Sequence, residues 1–206
     1  MEKEKIIKAL EELRKDKKRN FNQSVDLIMN LKDFDIKKDS VNLFVALPHK
    51  IKDVKVCAFL NKKSPLVETI TKDDFIKYKD KKKAKVLAKQ YDFFIASASV
   101  MPQVAAVFGR YLGPTGKMPS PQMGIITEES ENKIKEVLSK YEKLVRVKSK
   151  EPSLKICIGK ESMKDEEISE NSIQTYNTIL NALPRKKENI KSVLIKFTMS
   201  KALKIE

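Results

Sequence analysis

Val25-Asp26-Leu27-Ile28-Met29-Asn30-Leu31 decides how this chain is organised. Val25, Leu27, Met29 and Leu31 recur every second residue, the period of a strand with one buried face. Phe21 and Gln23 continue that parity backwards, while Asn22, Ser24 and Asp26 fall on the other face. A half-buried strand needs partners. Asn42-Leu-Phe-Val-Ala-Leu47 is the next strand, and Pro48 ends it. The strand pattern then changes, and alternation returns only after Pro152. Leu154-Lys-Ile-Cys-Ile158 alternates and ends at Gly159-Lys160. A helix is predicted over 165–183, with Ile168, Ile173, Tyr176, Ile179 and Leu180 as its apolar stripe. Ile190 to Thr198 is the last strand. Neither end holds enough strands for a domain of its own. The expectation is one discontinuous α+β domain, split β-α-β-like, made from residues 1–52 and 147–206.

Residues 53–146 read differently. Val54–Leu60 is a near-continuous apolar run, as in a strand buried on both faces of a parallel sheet. Leu66–Ile70 and Asp92–Ala96 are further strands. Thr71-Lys-Asp-Asp74 caps a helix over 72–90 that carries the Lys81–Lys85 cluster; Met101–Phe108 and Glu128–Leu144 are helices. Strands alternating with helices predict an inserted α/β doubly wound, Rossmann-like domain. Its linkers are placed at Pro48-His49-Lys50 and Lys148–Pro152. At the front of the chain, Ile6, Ile7, Leu10 and Leu13 predict an amphipathic helix over 2–18.

Gly109-Arg-Tyr-Leu-Gly113-Pro-Thr-Gly116-Lys-Met-Pro119-Ser-Pro121 holds three of the chain's 5 Gly and three of its 8 Pro. Glycine favours positive φ and proline removes a donor, so the stretch predicts an irregular loop. It resembles a phosphate-binding loop only in part. Tyr111 stands where that motif needs its first Gly, Met118 where it needs a metal-binding hydroxyl, and Pro119 and Pro121 where a helix should start. Asn61-Lys-Lys-Ser64 follows the first inserted strand in place of a dinucleotide-binding glycine turn. His49 has no nucleophile or orienting partner nearby in the sequence and reads as a turn residue. No enzyme class and no cofactor is indicated.

Lys+Arg 43 against Asp+Glu 28 gives a net charge of +15, which points to a polyanion such as nucleic acid. The longest apolar runs fall short of a membrane span. Met1-Glu-Lys-Glu-Lys lacks the apolar core of a signal peptide, so a cytoplasmic location is expected. Cys57 and Cys157 are isolated on apolar strands and read as reduced thiols; one His and no C-x-x-C offer no metal site. Aromatics at 7% with no Trp argue against a base-stacking platform and for a protein that reads RNA shape and backbone. Arg110 and Lys117 are candidates to meet RNA backbone.

These residues resemble the large-subunit ribosomal protein L-one family, which forms the mobile side stalk, and its archaeal branch most. Gly109–Pro119 is similar to the family's signature loop, and Asp92–Ala96 with Met101-Pro102 to the segment before it. Arg19-Asn-Phe-Asn-Gln-Ser24 resembles the start of its RNA-binding strand, and Leu47-Pro-His49 its first hinge. Ile158-Gly-Lys160 and Thr198-Met199 resemble its second RNA-binding patch. The likeness covers the whole chain in order. It implies two domains, the discontinuous one binding the ribosomal RNA stalk. Carried over by position, Arg19, Phe21, Gln23, Ser24, Gly159, Lys160, Ser162, Ser192, Thr198, Met199 and Ser200 form the RNA surface. The resemblance also implies contact with transfer RNA leaving the exit site, repression of the protein's own messenger RNA, and a monomer when free. The family's Thr-Met-Gly-Pro is here Thr198-Met199-Ser200-Lys201, which replaces a glycine suited to close backbone approach.

Overall fold

A computed structural model of the chain describes residues 2–17, 19–35, 41–78, 80–121, 124–149 and 151–206. In chain order the elements are α1 (Lys3–Arg14), β1 (Ser24–Leu31), β2 (Asn42–Ala46), β3 (Val56–Phe59) and β4 (Glu68–Ile70). Then come α2 (Lys81–Gln90), β5 (Phe93–Ser97), α3 (Met101–Thr115), β6 (Ile125–Ile126) and α4 (Glu131–Glu142). Last are β7 (Leu144–Lys148), β8 (Ser153–Lys160), α5 (Asp165–Ala182), β9 (Ile190–Phe197) and β10 (Leu203–Lys204). The contacts divide these into two compact units, residues 1–51 with 143–206, and residues 52–142.

In the first unit β1 is an inner strand of an antiparallel sheet ordered β10-β9-β1-β8. Asn30 pairs with Ser192 on one side and Ser153 on the other, so distant ends of the chain share one sheet. The alternation has its expected consequence. Val25, Leu27 and Met29 are fully buried with Val193, Ile195 and Phe197, while Ser24, Asp26, Ile28 and Asn30 are half-buried on the outer face. α1 covers the inner face with Ile6, Leu10 and Leu13, and α5 with Ile168, Tyr176 and Ile179. Leu144, expected to end a helix, and Lys148, expected to open a linker, are instead the two ends of β7, which pairs with β2 from Asn42–Lys148 to Ala46–Leu144. Its Val145 and Val147 pack into the same core, and β-branched residues on a half-buried face favour a strand.

A bulge in β8 sets the outer face. Val25 pairs with Gly159 but Asp26 pairs with Cys157, which leaves Ile158 as the extra residue. One residue of slip exchanges the two faces of a strand. Ile158 and Gly159 therefore both point inward, and Lys160 turns outward beside Ser24.

The second unit is built on a parallel sheet ordered β4-β3-β5-β6. Phe59, Phe75, Phe94 and Phe108 stack in its core, with Phe59 and Phe108 ring centres 4.9 Å apart. The helix expected over 72–90 is two pieces, a 3-10 segment at Lys72–Tyr78 and α2, whose N-terminus the Asp80 side chain caps. The Gly/Pro stretch corrects the sequence reading most. Helix α3 continues through Gly109, Gly113 and Pro114 to Thr115. Val104, Phe108 and Leu112, four residues apart, are completely buried and hold that face down. Pro114 comes in the last turn, where one lost backbone bond is tolerated. Only Gly116 takes a left-handed conformation, φ 68, and the N–H groups of Gly116 and Lys117 close the helix on Gly113 and Leu112. Among the described residues no helix is long and apolar enough to cross a membrane, and no group of three His, Cys, Asp or Glu could hold a metal ion.

Candidate nucleic-acid interface

The end of the sheet where β1 begins brings three chain segments together. The Ser24 N–H donates to the Thr198 hydroxyl at 3.0 Å, and the Thr198 N–H donates to the Ser24 carbonyl at 3.1 Å. Lys160 Nζ donates to the Ser24 hydroxyl at 2.9 Å. Gln23 is the hub beneath. It is only 5% exposed; its Nε2 donates to Glu161 Oε2 at 3.2 Å and its Oε1 accepts the Met199 N–H at 3.1 Å. The Glu161 N–H returns to the Gln23 carbonyl at 2.8 Å. A buried amide with both ends engaged fixes the positions of its neighbours. Asn22 clasps Ser162 in the same way, Nδ2 to the hydroxyl at 2.9 Å and Oδ1 from the N–H at 3.2 Å.

On this base stand side chains exposed to solvent. Phe21 is 51% and Met199 58% exposed, and Arg19, Ser162 and Thr198 are exposed too. Two large apolar side chains this exposed at one end of a sheet make it a candidate contact surface. A shallow groove of about 50 Å³ runs between Arg19, Gln23, Glu161, Met199 and Ser200.

Ser200 is tied into the turn, its hydroxyl accepting the Phe197 N–H at 2.8 Å. Among the described non-glycine residues only Asp33 and Lys186 have positive φ, so the backbone at Ser200 does not need glycine.

Three expected residues behave differently. Gly159 faces the core, where a Cβ would stand 3.0 Å from Ile168 Cγ1, so its role is the close approach of α5. Ser192 shares the outer face but pairs with Asn30, six residues along β1 from Ser24, roughly 20 Å away at strand rise. There Asn30 donates to the Ser192 hydroxyl at 3.0 Å and accepts from Ser153 at 2.9 Å, forming a second polar row. In the other unit Lys117 Nζ donates to the Ala88 and Tyr91 carbonyls at 2.8 and 2.6 Å, so its charge sits on the end of α2. Arg110, in contrast, is exposed on α3 between Gly109 and Gly113, and a Cβ at either glycine would meet nothing within 4 Å.

Between the two polar rows the outer face carries Asp26, paired with Lys196 and with Cys157. Burial raises the Asp26 carboxyl above its ordinary 3.8, while Lys196 and Lys160 pull it partly back.

The comparisons with known proteins bear on this geometry. Residues 13–201 match the model of the ribosomal protein L1p/L10e family, a span that includes every residue named at the interface. The chain belongs to the ribosomal protein L1p/L10e family. Within it, the large ribosomal subunit protein uL1 of Thermococcus kodakarensis is 35% identical, covering 100% of this chain and 98% of its own length. The protein of the same name from Pyrococcus horikoshii is 35% identical over 100% of this chain and 97% of its own. That of Nanoarchaeum equitans is 36% identical over 97% and 98%. The chain is thus an archaeal-type member of the L1p/L10e family.

Sequence reasoning passed over Asn22, Glu161 and Arg14. Arg14 at the end of α1 holds the 161–165 turn through Asp165 at 2.7 Å and the carbonyls of Glu161 and Met163 at 2.8 and 2.9 Å. Its partners lie about 150 residues away in the chain, so no local pattern marks it.

Proposed function

We propose that this chain is a structural protein of the large ribosomal subunit, without a catalytic role, that binds ribosomal RNA of the side stalk through the β1–β8–β9 strand ends. The domain proposed to do so comprises residues 1–52 and 147–206, with 53–146 inserted. Arg19, Phe21, Gln23, Ser24, Lys160, Ser162, Thr198, Met199 and Ser200 are assigned to the main contact. Ser192 extends it along the outer face. What carries the reading is the fixed Gln23–Glu161–Met199 network beneath exposed Phe21, Ser162 and Thr198.

The chemistry suits folded RNA. A shallow groove displaying 2′-hydroxyls and backbone is met by small hydroxyl groups, with apolar flanks for exposed bases. Lys160 and Arg19 add the salt-sensitive share. In the inserted part, Arg110 on the open glycine face of α3 is proposed as the secondary RNA contact. Two glycines in an exposed helix each cost about 1 kcal/mol against alanine, and a closely approaching RNA backbone gives that cost a use. Assistance in releasing exit-site transfer RNA and repression of the protein's own messenger are the further activities proposed on family grounds.

Gel shifts with a stalk-RNA fragment and an unrelated duplex, each at two salt concentrations, test the reading. Preference for the stalk fragment that survives the higher salt supports it. Equal binding of both RNAs removes it.

A further inference from the structure

In an open parallel sheet, ligands bind outside the carboxyl ends of the strands, where the chain turns to opposite sides. Here that point lies between β3, which leads to β4 on one side, and β5, which leads to β6 on the other. Asn61 follows β3, Ser97 and Ser99 close β5, and Glu129 follows β6. The Asn61 N–H lies 3.1 and 3.2 Å from the two carboxylate oxygens of Glu129, and the Lys62 N–H lies 3.3 Å from one of them. Asn61 Nδ2 donates to Glu129 at 2.6 Å and lies 2.8 Å from the Ser99 hydroxyl. Successive backbone N–H groups with nearby hydroxyls are the elements of an anion seat.

We propose that the inserted unit has an oxyanion seat at its strand switch point, made by the Asn61 and Lys62 N–H groups and the Asn61 side-chain amide that Ser99 helps to place, and that the chain fills this seat with its own Glu129 carboxylate. The side chain stands where a phosphate or carboxylate ligand would bind. It closes the site to outside anions and ties the β3 and β6 loops together. Although burial alone would raise the Glu129 carboxyl, hydrogen bonds from Asn61, Ser97 and Lys62 outweigh it and hold the group below its ordinary 4.5.

The full chain carrying Glu129→Ala tests this. Its Tm should be lowered, and acetate or inorganic phosphate at about 50 mM should raise it again by about 4 °C or more, while sodium chloride of equal ionic strength does not. Wild type should gain clearly less from either anion than the variant does. A folded Glu129→Ala protein indifferent to both anions, or a wild type that gains as much, overturns the proposal. Should the alanine variant not fold, Glu129→Gln keeps the shape without the charge. In NMR spectra at neutral pH its Asn61 and Lys62 amide protons should move upfield from their wild-type positions, and unchanged positions overturn the seat.

Discussion

Ser24 and Thr198, 174 residues apart, exchange two hydrogen bonds, the Ser24 N–H to the Thr198 hydroxyl at 3.0 Å and the Thr198 N–H to the Ser24 carbonyl at 3.1 Å. The hydroxyl accepts from the Ser24 N–H and gives its own proton only to a long contact, 3.4 Å, with the Ser24 carbonyl, which a closer RNA acceptor can displace. Thr198→Val removes both capacities in an isosteric frame. RNA affinity should fall by about 1–3 kcal/mol, because an RNA group buried against the valine loses its partner. Thr198→Ser should restore most of it. Filter binding with the stalk fragment measures both, and equal affinity of wild type and Thr198→Val would remove Thr198 from the contact surface.

Phe21 and Met199 should separate binding from stability. Both are more than half exposed, so truncation leaves no cavity. Phe21→Ala should shift unfolding free energy by no more than about 0.5 kcal/mol. Its loss of RNA contact should cost about 1–3 kcal/mol of affinity, the range for a base set against an aromatic ring. A large drop in urea midpoint with unchanged affinity would make Phe21 a packing residue instead.

The alternation of Val25 to Leu31 was enough to give β1 its buried face and to send its partners to the far end of the chain. Burial of one face is a local property with a fixed period, so a single sequence carries it. The bulge at Ile158 was not legible, because Leu154, Ile156 and Ile158 alternate cleanly right up to it. Lys160 reaches the outer face only through that slip. Three glycines in one stretch suggested a loop. Yet Val104, Phe108 and Leu112 bury against Phe59 and Phe75, and this burial outweighs the roughly 1 kcal/mol each helical glycine costs. The short strands β6 and β10, two residues each, are too brief for any periodic signal. Gln23 and Thr198 are singled out only by the family resemblance, since by type they are ordinary strand residues, whereas the Arg14 and Glu161 contacts exist only once the turn after β8 folds back.

The two cysteines report on one unit each. Cys57 is fully buried, and its thiol is pushed up to about 12 by burial first and by nearby Glu68 second. Cys157 is half-buried on the outer face opposite Asp26, and burial raises it as well. At pH 8 a thiol reagent should therefore leave Cys57 untouched in the native protein and label Cys157 slowly. Bound RNA should slow Cys157 labelling further. Mass mapping of the labelled site decides it, and rapid labelling of Cys57 would contradict its burial.

Asp26 should make stability depend on pH in an unusual direction. Its carboxyl is raised in the folded chain, so folding favours the protonated form. The unfavourable contribution is absent below the ordinary 3.8 and grows as pH rises through the raised value. Asp26→Asn should raise the urea midpoint at pH 7, and the gain should vanish in acid. The same change removes a negative charge from the outer face and, if the proposed RNA surface is right, should tighten RNA binding. A variant less stable than wild type at pH 7 would show that the attraction of Lys196 and Lys160 outweighs burial.

Lys117 and Arg110 carry the same charge in one signature stretch but should fail differently. Lys117 holds the Ala88 carbonyl in the last turn of α2 at 2.8 Å and the Tyr91 carbonyl just after it at 2.6 Å, so Lys117→Met leaves both acceptors short of a partner. The inserted unit should lose about 1–3 kcal/mol, with RNA affinity little changed. Arg110 stands exposed on α3, and Arg110→Ala should leave the melting curve alone. Its effect should appear in RNA binding, mostly at low salt, with the slope of log affinity against log salt reduced by about one. Measuring both variants by thermal melting and by salt-dependent gel shift separates the roles. If Lys117→Met weakened RNA binding without lowering stability, its ammonium would face RNA and the helix-end contact would be incidental.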